Sequence, residues 1–288
     1  MRPGLECAPC ILKWVYQRAG VLASEEERFH LIKDILSVLS REFCSVSNVG
    51  LLCNKTTESI CEFIFASAQY YKELKDESNK LVDGLLPAAR DFIKIGETPD
   101  KRFERACCLA SAGNVAPIGA PSCAFSFAEV EDIMMGRGPL PVVIGDVYKA
   151  AKGATNILYI ADNAGEIGFD SLLIASLKEM GLKVTLIVKE APFFEDTTIK
   201  DASFFALDEL ADKILTVKGV FVPGENTVPL ADAFRQSDLV IAKGTGNYEA
   251  LAGEAVGKAV IYMLKVKCKP VAISIGVDIG NFVVKIEK

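Results

Sequence analysis

Several short segments place oxygen donors and amines just where β-prone runs end. "NILYIA" ends in Asp162 and Asn163, and "KVTLIVKE" is followed by "APFFEDTTIKDA", which carries Asp196. "DLVIA" runs into Lys243, Gly244, Thr245, Gly246, Asn247, Tyr248 and Glu249, and "AVIYML" ends at Lys265, with Lys267 and Cys268 just beyond. Asp162, Asn163 and Asp196 offer hard oxygen atoms, which suit Mg²⁺, Mn²⁺ and related divalent cations better than they suit a zinc cage. Gly244 and Gly246 let backbone N–H groups approach an anion as the chain enters a helix, where the helix dipole favours negative charge. Lys243 and Lys265 can neutralise phosphate oxygens. A cation on one side of a phosphoryl group, with amides and lysine on the other, is the arrangement that stabilises phosphoryl transfer. The set therefore reads as a metal-dependent phosphatase. Asp162 or Asp196 would orient a water or take its proton, and a phosphoaspartyl intermediate is the covalent alternative.

Each element also has a plainer reading. Asp162 or Asn163 could cap the helix that starts near Gly165, Glu166 could complement its dipole, and "GTG" is a common strand-to-helix turn. What caps alone do not require is lysines at two further strand ends. Cys7 and Cys10 have the spacing of a structural metal site or a redox pair. A thiolate site needs further ligands from Cys44, Cys53, Cys61, Cys107, Cys108, Cys123 or Cys268, and none of these supplies a second Cys-x-x-Cys. Buried thiols or a disulfide fit them better. His30 lies in a helical pattern as a packed or surface residue, and Trp14, Phe193 and Phe194 most simply fill core.

The elements that must position these groups fall into two regions. Residues 1–138 read as an all-helical N-terminal region. "ILKWVYQRAG" puts Leu12, Val15 and Tyr16 on one face and ends at Gly20. "SEEERFHLIKDILSVLSREF" opens on Ser24 as N-cap and repeats Phe29, Ile32, Ile35, Leu36 and Leu39. Pro87 is expected to kink or divide a later helix, and "KRFERACCLASAGNVAPIGAPS" to break at Gly113, Pro117 and Pro121. From 139 to 288 the period changes: "PVVIGD", "NILYIAD", "KVTLIVKE", "KILTV", "DLVIAKG" and "AVIYMLKV" alternate with helical stretches. That alternation predicts an α/β domain, a mainly parallel Rossmann-like sheet flanked by helices, with ligands bound at the carboxyl ends of its strands.

Bulk composition narrows the partners. The chain has 288 residues, is 50% hydrophobic and carries a formal net charge of -6, so it can bury a large core and lacks the basic field that would attract nucleic acid. No apolar run reaches membrane-spanning length, and "MRPGLECAPC" lacks the order of a signal peptide, so a cytoplasmic protein is expected. Nine cysteines in such a chain are expected to be mostly reduced.

The motifs also resemble a known family. "ADNAGEIGFD", "EDTTIKDA", "AKGTGNYEALAG" and "LKVKC" are similar, in order and spacing, to the metal-dependent damage-control phosphatases, long grouped as domain-of-unknown-function family 89. "ECAPCILKW" resembles the Cys-x-x-Cys start of that family's microbial and archaeal branch, and "ASAGNVAPIG" its Gly-Asn segment, although the family's segment often continues to an Asp where this chain has Val115, Ala116 and Pro117 after Asn114. The resemblance implies a helical region packed on an α/β domain. It also implies hydrolysis of phosphorylated small metabolites, often sugar phosphates or damaged cofactor precursors, with a divalent ion such as Mg²⁺, Mn²⁺, Co²⁺ or Ni²⁺. On it, Asp162, Asn163 and Asp196 fall on metal positions, Lys243, Gly244, Asn247 and Glu249 in the phosphate segment, and Lys265 on a phosphate-holding lysine.

Two rival functions are distinguishable. A nucleotide-dependent Rossmann enzyme, such as a methyltransferase or dehydrogenase, would want Gly-x-Gly-x-x-Gly where "ADNAGEIG" places an acid. A non-catalytic metal or redox module would be built on Cys7 and Cys10.

Overall fold

The alternation of short β-branched runs with helices produces one sheet in the computed structural model, which describes residues 1–115, 127–254 and 256–288. The chain begins with helices α1 (Cys7–Ala19), α2 (Glu25–Glu42), α3 (Val49–Ser59), α4 (Cys61–Ala66), α5 (Ala68–Lys94), α6 (Pro99–Ala112) and α7 (Ala128–Met134). Strand β1 (Val142–Ile144), α8 (Val147–Lys152), β2 (Asn156–Ile160), α9 (Glu166–Glu179) and β3 (Lys183–Lys189) follow. After α10 (Ile199–Phe204) and α11 (Leu207–Leu210) come β4 (Lys213–Val217), α12 (Val228–Gln236), β5 (Leu239–Lys243) and α13 (Gly244–Leu251). The chain then forms β6 (Ala259–Lys265), α14 (Lys269–Ile275) and β7 (Phe282–Glu287).

The sheet order is β1-β7-β6-β5-β2-β3-β4. Every pairing is parallel except β6 with β7, which is antiparallel. All the strands expected from sequence are present, and β7, from "FVVKIE", is an addition to them.

Side chains alternate across the sheet, as a period of two requires. Leu158, Ile160, Val240, Ala242, Val260 and Tyr262 face a core shared with α1, α2, α3 and α13, while Ile157, Tyr159, Ala161, Leu239, Ile241 and Met263 face a core shared with α6, α8 and α9. A third cluster joins α5 to α6 and α9 through Val82, Leu86, Leu109, Ala112, Phe169 and Leu172. Helices from the N-terminal region therefore pack on both faces of the sheet. Helix α9 is buried along almost all of its length, which is why its sequence shows no clean polar face.

Local expectations fare unevenly. Ser24 caps α2 in a full capping box with Glu27, and Gly20 and Gly113 follow the ends of α1 and α6. The buried face of α2 is Leu31, Ile35, Val38 and Leu39; Ile35 and Leu39 of the expected stripe belong to it, whereas Phe29 and Leu36 are exposed. Pro87 sits inside α5 without dividing it. The breaks expected at Pro117 and Pro121, and Cys123, lie outside the described residues.

Candidate active site

Strands β2 and β5 are neighbours, with Ile160 opposite Ala242. From β2 the chain goes on to β3 and β4 on one side, and from β5 to β6 on the other. This is a topological switch point, the place where open parallel sheets leave a crevice beyond the strand ends. Asp162 and Asn163 leave β2 there, and Gly244 leaves β5 at the same level.

The β2–α9 turn is fixed from outside. Gly165 has φ 77° and caps α9 without any side-chain cap, so neither Asp162 nor Asn163 serves as the helix cap. The Gly165 N–H donates to Asn79 Oδ1 of α5 at 2.7 Å, and Asn79 in turn donates to Asp201 Oδ1 at 3.0 Å. Lys75 pairs with the same Asp201 carboxylate at 2.7 Å, so α5 clamps the turn to the start of α10.

With the caps excluded, the two polar residues turn elsewhere. Asp162 Oδ2 accepts from Asn114 Nδ2 and from Asn163 Nδ2, both at 2.8 Å. Asp196 is delivered by the segment after β3. Asn163 and Asp196 form an antiparallel bridge, Thr197 N donates to the Asp162 carbonyl at 2.8 Å, and Ala164 N donates to the Glu195 carbonyl at 3.0 Å. Asp196 Oδ2 lies 3.2 Å from Lys189 Nζ, which also donates to the Gly219 carbonyl at 2.6 Å. Burial pushes the Asp196 carboxyl up to about 7; Lys189 opposes the rise, and the charges of Asp162 and Glu195 add to it.

These contacts leave acceptor oxygens unused. Among the described residues no protein donor meets Oδ1 of Asp162 or Oδ1 of Asp196. The buried Glu195 Oε2 and Thr197 Oγ1 beside Asp196 also have no hydrogen-bond partner. Two carboxylates and an amide, each with an oxygen to spare, fit a hard divalent cation, and a cation would offset the cost of burying Asp196 as an anion. No group of three or more His, Cys, Asp or Glu side chains suited to a metal occurs among the described residues, so any such ion would depend on the Asn163 amide as well.

The phosphate-segment residues separate. Gly244 has φ 77°, and the Asp162 carboxylate packs so closely on it that any side chain there would overlap with Oδ1 and Oδ2. Together with Thr245 and Gly246 it opens α13 toward the crevice, with Thr245 Oγ1 3.4 Å from the Lys265 carbonyl. Lys265 pairs with Glu129 at 2.6 Å, and both side chains are partly exposed.

Lys243, expected to neutralise phosphate, is instead fully buried beneath the site, pairing with Glu166 at 2.8 Å and Asp170 at 2.7 Å. Burial works against its charge, but the two acids outweigh it and hold its pKa above the usual lysine value. Asn247 spends its amide on the Ala161 and Lys243 carbonyls, tying β2 to the β5–α13 turn. Glu249 lies five residues into α13, and its carboxyl is pushed up to about 7 by burial, opposed by the N-terminal ammonium. Its charge is also felt by Cys7, Cys10, Cys53 and Cys268, each a thiol raised above the usual value first by burial. Cys7 and Cys10 thus sit near Glu249; every cysteine among the described residues is a free thiol, so the pair forms no disulfide, and Cys7 is buried as expected whereas Cys10 is exposed. His30 is exposed, while Trp14 packs edge-on against Phe194 at 5.5 Å.

Glu166 and Asp170 were not read from sequence as site residues. Their signal is two acids one turn apart on a helix whose other large residues up to Ile174 are Ile, Phe and Leu. Burial pushes Glu166 up to about 8; Lys243 opposes this and Asp162 and Asp170 add to it.

Fold and site define a doubly wound α/β protein that gathers oxygen donors at its switch point, opposite the open start of a helix. The chain belongs to the family described as the damage-control phosphatase ARMT1-like domain, whose model matches residues 5–283. It is 29% identical to a damage-control phosphatase of Archaeoglobus fulgidus over 97% of each chain. It is 33% identical to an uncharacterized protein of Methanocaldococcus jannaschii over 96% of this chain and 92% of that one. The crystal structure of a DUF89 family protein from Pyrococcus horikoshii matches the whole of both chains with a TM-score of 0.80 at 25% identity. No helix among the described residues is long and apolar enough to cross a membrane.

Proposed function

We propose that this protein is a divalent-cation-dependent phosphatase of small phosphorylated metabolites, sugar phosphates or damaged phosphometabolites, working in the crevice between β2 and β5. The observation that carries the reading is the convergence of Asp162, Asn163 and Asp196 at the switch point, with the glycine turn of Gly244 directly against Asp162. The name shared by the Archaeoglobus fulgidus relative supports phosphate removal from damaged metabolites.

In this reading Asp162, Asn163 and Asp196 hold Mg²⁺, Mn²⁺, Co²⁺ or Ni²⁺. When bound, such an ion supplies positive charge to a phosphate oxygen and lowers the pKa of an attacking water. The N–H groups at the start of α13 face the developing negative charge, and Lys265 contributes a mobile cation by exchanging Glu129 for a phosphate oxygen. Asp162 or Asp196 orients the water and accepts its proton. Lys243 acts from below by keeping α9 and β5 together.

Assays of p-nitrophenyl phosphate and a sugar-phosphate panel, with EDTA and then with each divalent cation, test the reading. Phosphate release that is abolished by EDTA and restored by a cation supports it. Equal release in EDTA, or none under any condition, refutes it.

A further inference from the structure

Beneath Asp162 a chain of buried polar contacts runs through one residue. Glu166 is completely buried. Its Oε1 is held by Lys243 Nζ at 2.8 Å, and its Oε2 receives Asn163 Nδ2 at 3.0 Å and Asn114 Nδ2 at 3.0 Å. Both amide groups also donate to the same Asp162 Oδ2. Each NH₂ therefore lies between two carboxylates. An amide directs its carbonyl oxygen away from its NH₂, so this clasp fixes where both oxygens go. The Asn114 oxygen accepts from Lys265 N at 3.1 Å and is used up within the protein. The Asn163 oxygen is turned away from both acids. All three groups that reach Glu166 are donors, so it serves as an acceptor anchored by Lys243.

We propose that Glu166 is a positioning residue that locks the Asn163 amide with its carbonyl oxygen, and not its NH₂, presented to the divalent cation. This rests on the cation reading given above. Without Glu166 the NH₂ would have a single acceptor, and the rotated amide would aim a donor at a cation. The lock also couples the end of β6 to the site, since Asn114 joins Glu166, Asp162 and Lys265.

The test is Mn²⁺ binding by calorimetry to the metal-free full-length wild type and to Glu166→Gln, with circular dichroism to score folding. The glutamine brings an NH₂ of its own against Asn163. The expected result is a folded variant with Mn²⁺ affinity lowered about 10- to 100-fold, the usual cost of losing a group that orients a metal ligand. Its phosphatase rate should be recovered by excess Mn²⁺, with the half-saturating metal concentration moving and the saturated rate holding. A folded variant that binds Mn²⁺ as tightly as wild type overturns the proposal and leaves the cation reading standing. Wild type that binds no Mn²⁺ overturns both. If Glu166→Gln does not fold, side-chain amide NMR of wild type decides: saturating Mg²⁺ should shift the Asn163 amide ¹⁵N resonance while its NH₂ protons stay protected from exchange. An unmoved resonance, or protons that exchange freely, overturns the proposal.

Discussion

The carboxylate of Asp162 lies directly over the Cα of Gly244, so the strand end that carries the acid and the strand end that opens the α13 amides meet with no side chain between them. Two segments 82 positions apart in sequence are thereby made into one surface. That contact depends on a glycine for two reasons: the φ of 77°, and the space the acid occupies.

Gly244→Ala should therefore displace Asp162 and lower kcat/KM for p-nitrophenyl phosphate by about 100-fold, the scale expected when a reacting group is misplaced by an ångström. Gly246→Ala is the control, because the nearest atom to an added Cβ there is Val220 Cγ2 at 3.9 Å. Steady-state kinetics of both variants check this. Equal losses, or none at Gly244, would contradict it.

Lys243 is a structural cation in this account. Lys243→Met leaves Glu166 and Asp170 buried without their counter-charge, which should cost about 3–5 kcal/mol of folding stability. Urea unfolding measures it. A loss below about 1 kcal/mol would mean that the pair is not holding β5 to α9.

Glu249 should shape the pH dependence of stability. Its folded-state pKa is raised to about 7 by burial, so the stability linked to its neutral form is fully present below the ordinary glutamate pKa and is lost as pH rises through about 7. Glu249→Gln keeps a neutral group at every pH. The melting temperature of the variant relative to wild type should rise between pH 5 and pH 8. A difference that stays flat across that window would contradict the burial argument.

The double substitution Cys7→Ser, Cys10→Ser should leave metal-dependent phosphatase activity near the wild-type rate, since both thiols lie with Glu249 and Cys53 and away from Asp162. Loss of activity in a folded double variant would join the two regions functionally.

The parts of the fold that were readable from sequence are those whose signal is local. The β-branched runs at 156–160, 183–189 and 239–243 and the switch to helical spacing after them determine a parallel sheet, and the strand ends follow. Strand β7 is less readable because "NFVVKIEK" follows a loop and its antiparallel place beside β6 is a matter of tertiary pairing. Only part of the α2 stripe is legible: Phe29 and Leu36 are as apolar as Leu31 and Val38, and packing alone separates them. Asp162, Asn163 and Asp196, which the structure brings together, were legible as hard oxygen donors after strand ends. Lys243 was not, because a lysine after a strand looks the same in sequence whether its ammonium enters the crevice or turns inward. Its partners, Glu166 and Asp170, lie more than 70 positions away. Asn114, just past the end of α6, shows its role only through its contacts with Asp162 and Glu166.

The most direct measurement is anomalous diffraction from crystals grown with Mn²⁺. A single peak about 2.0–2.2 Å from oxygens of Asp162, Asn163 and Asp196, absent in Asp162→Asn crystals, is the predicted result. A peak elsewhere in the molecule, with these three side chains left unoccupied at saturating Mn²⁺, would contradict the account.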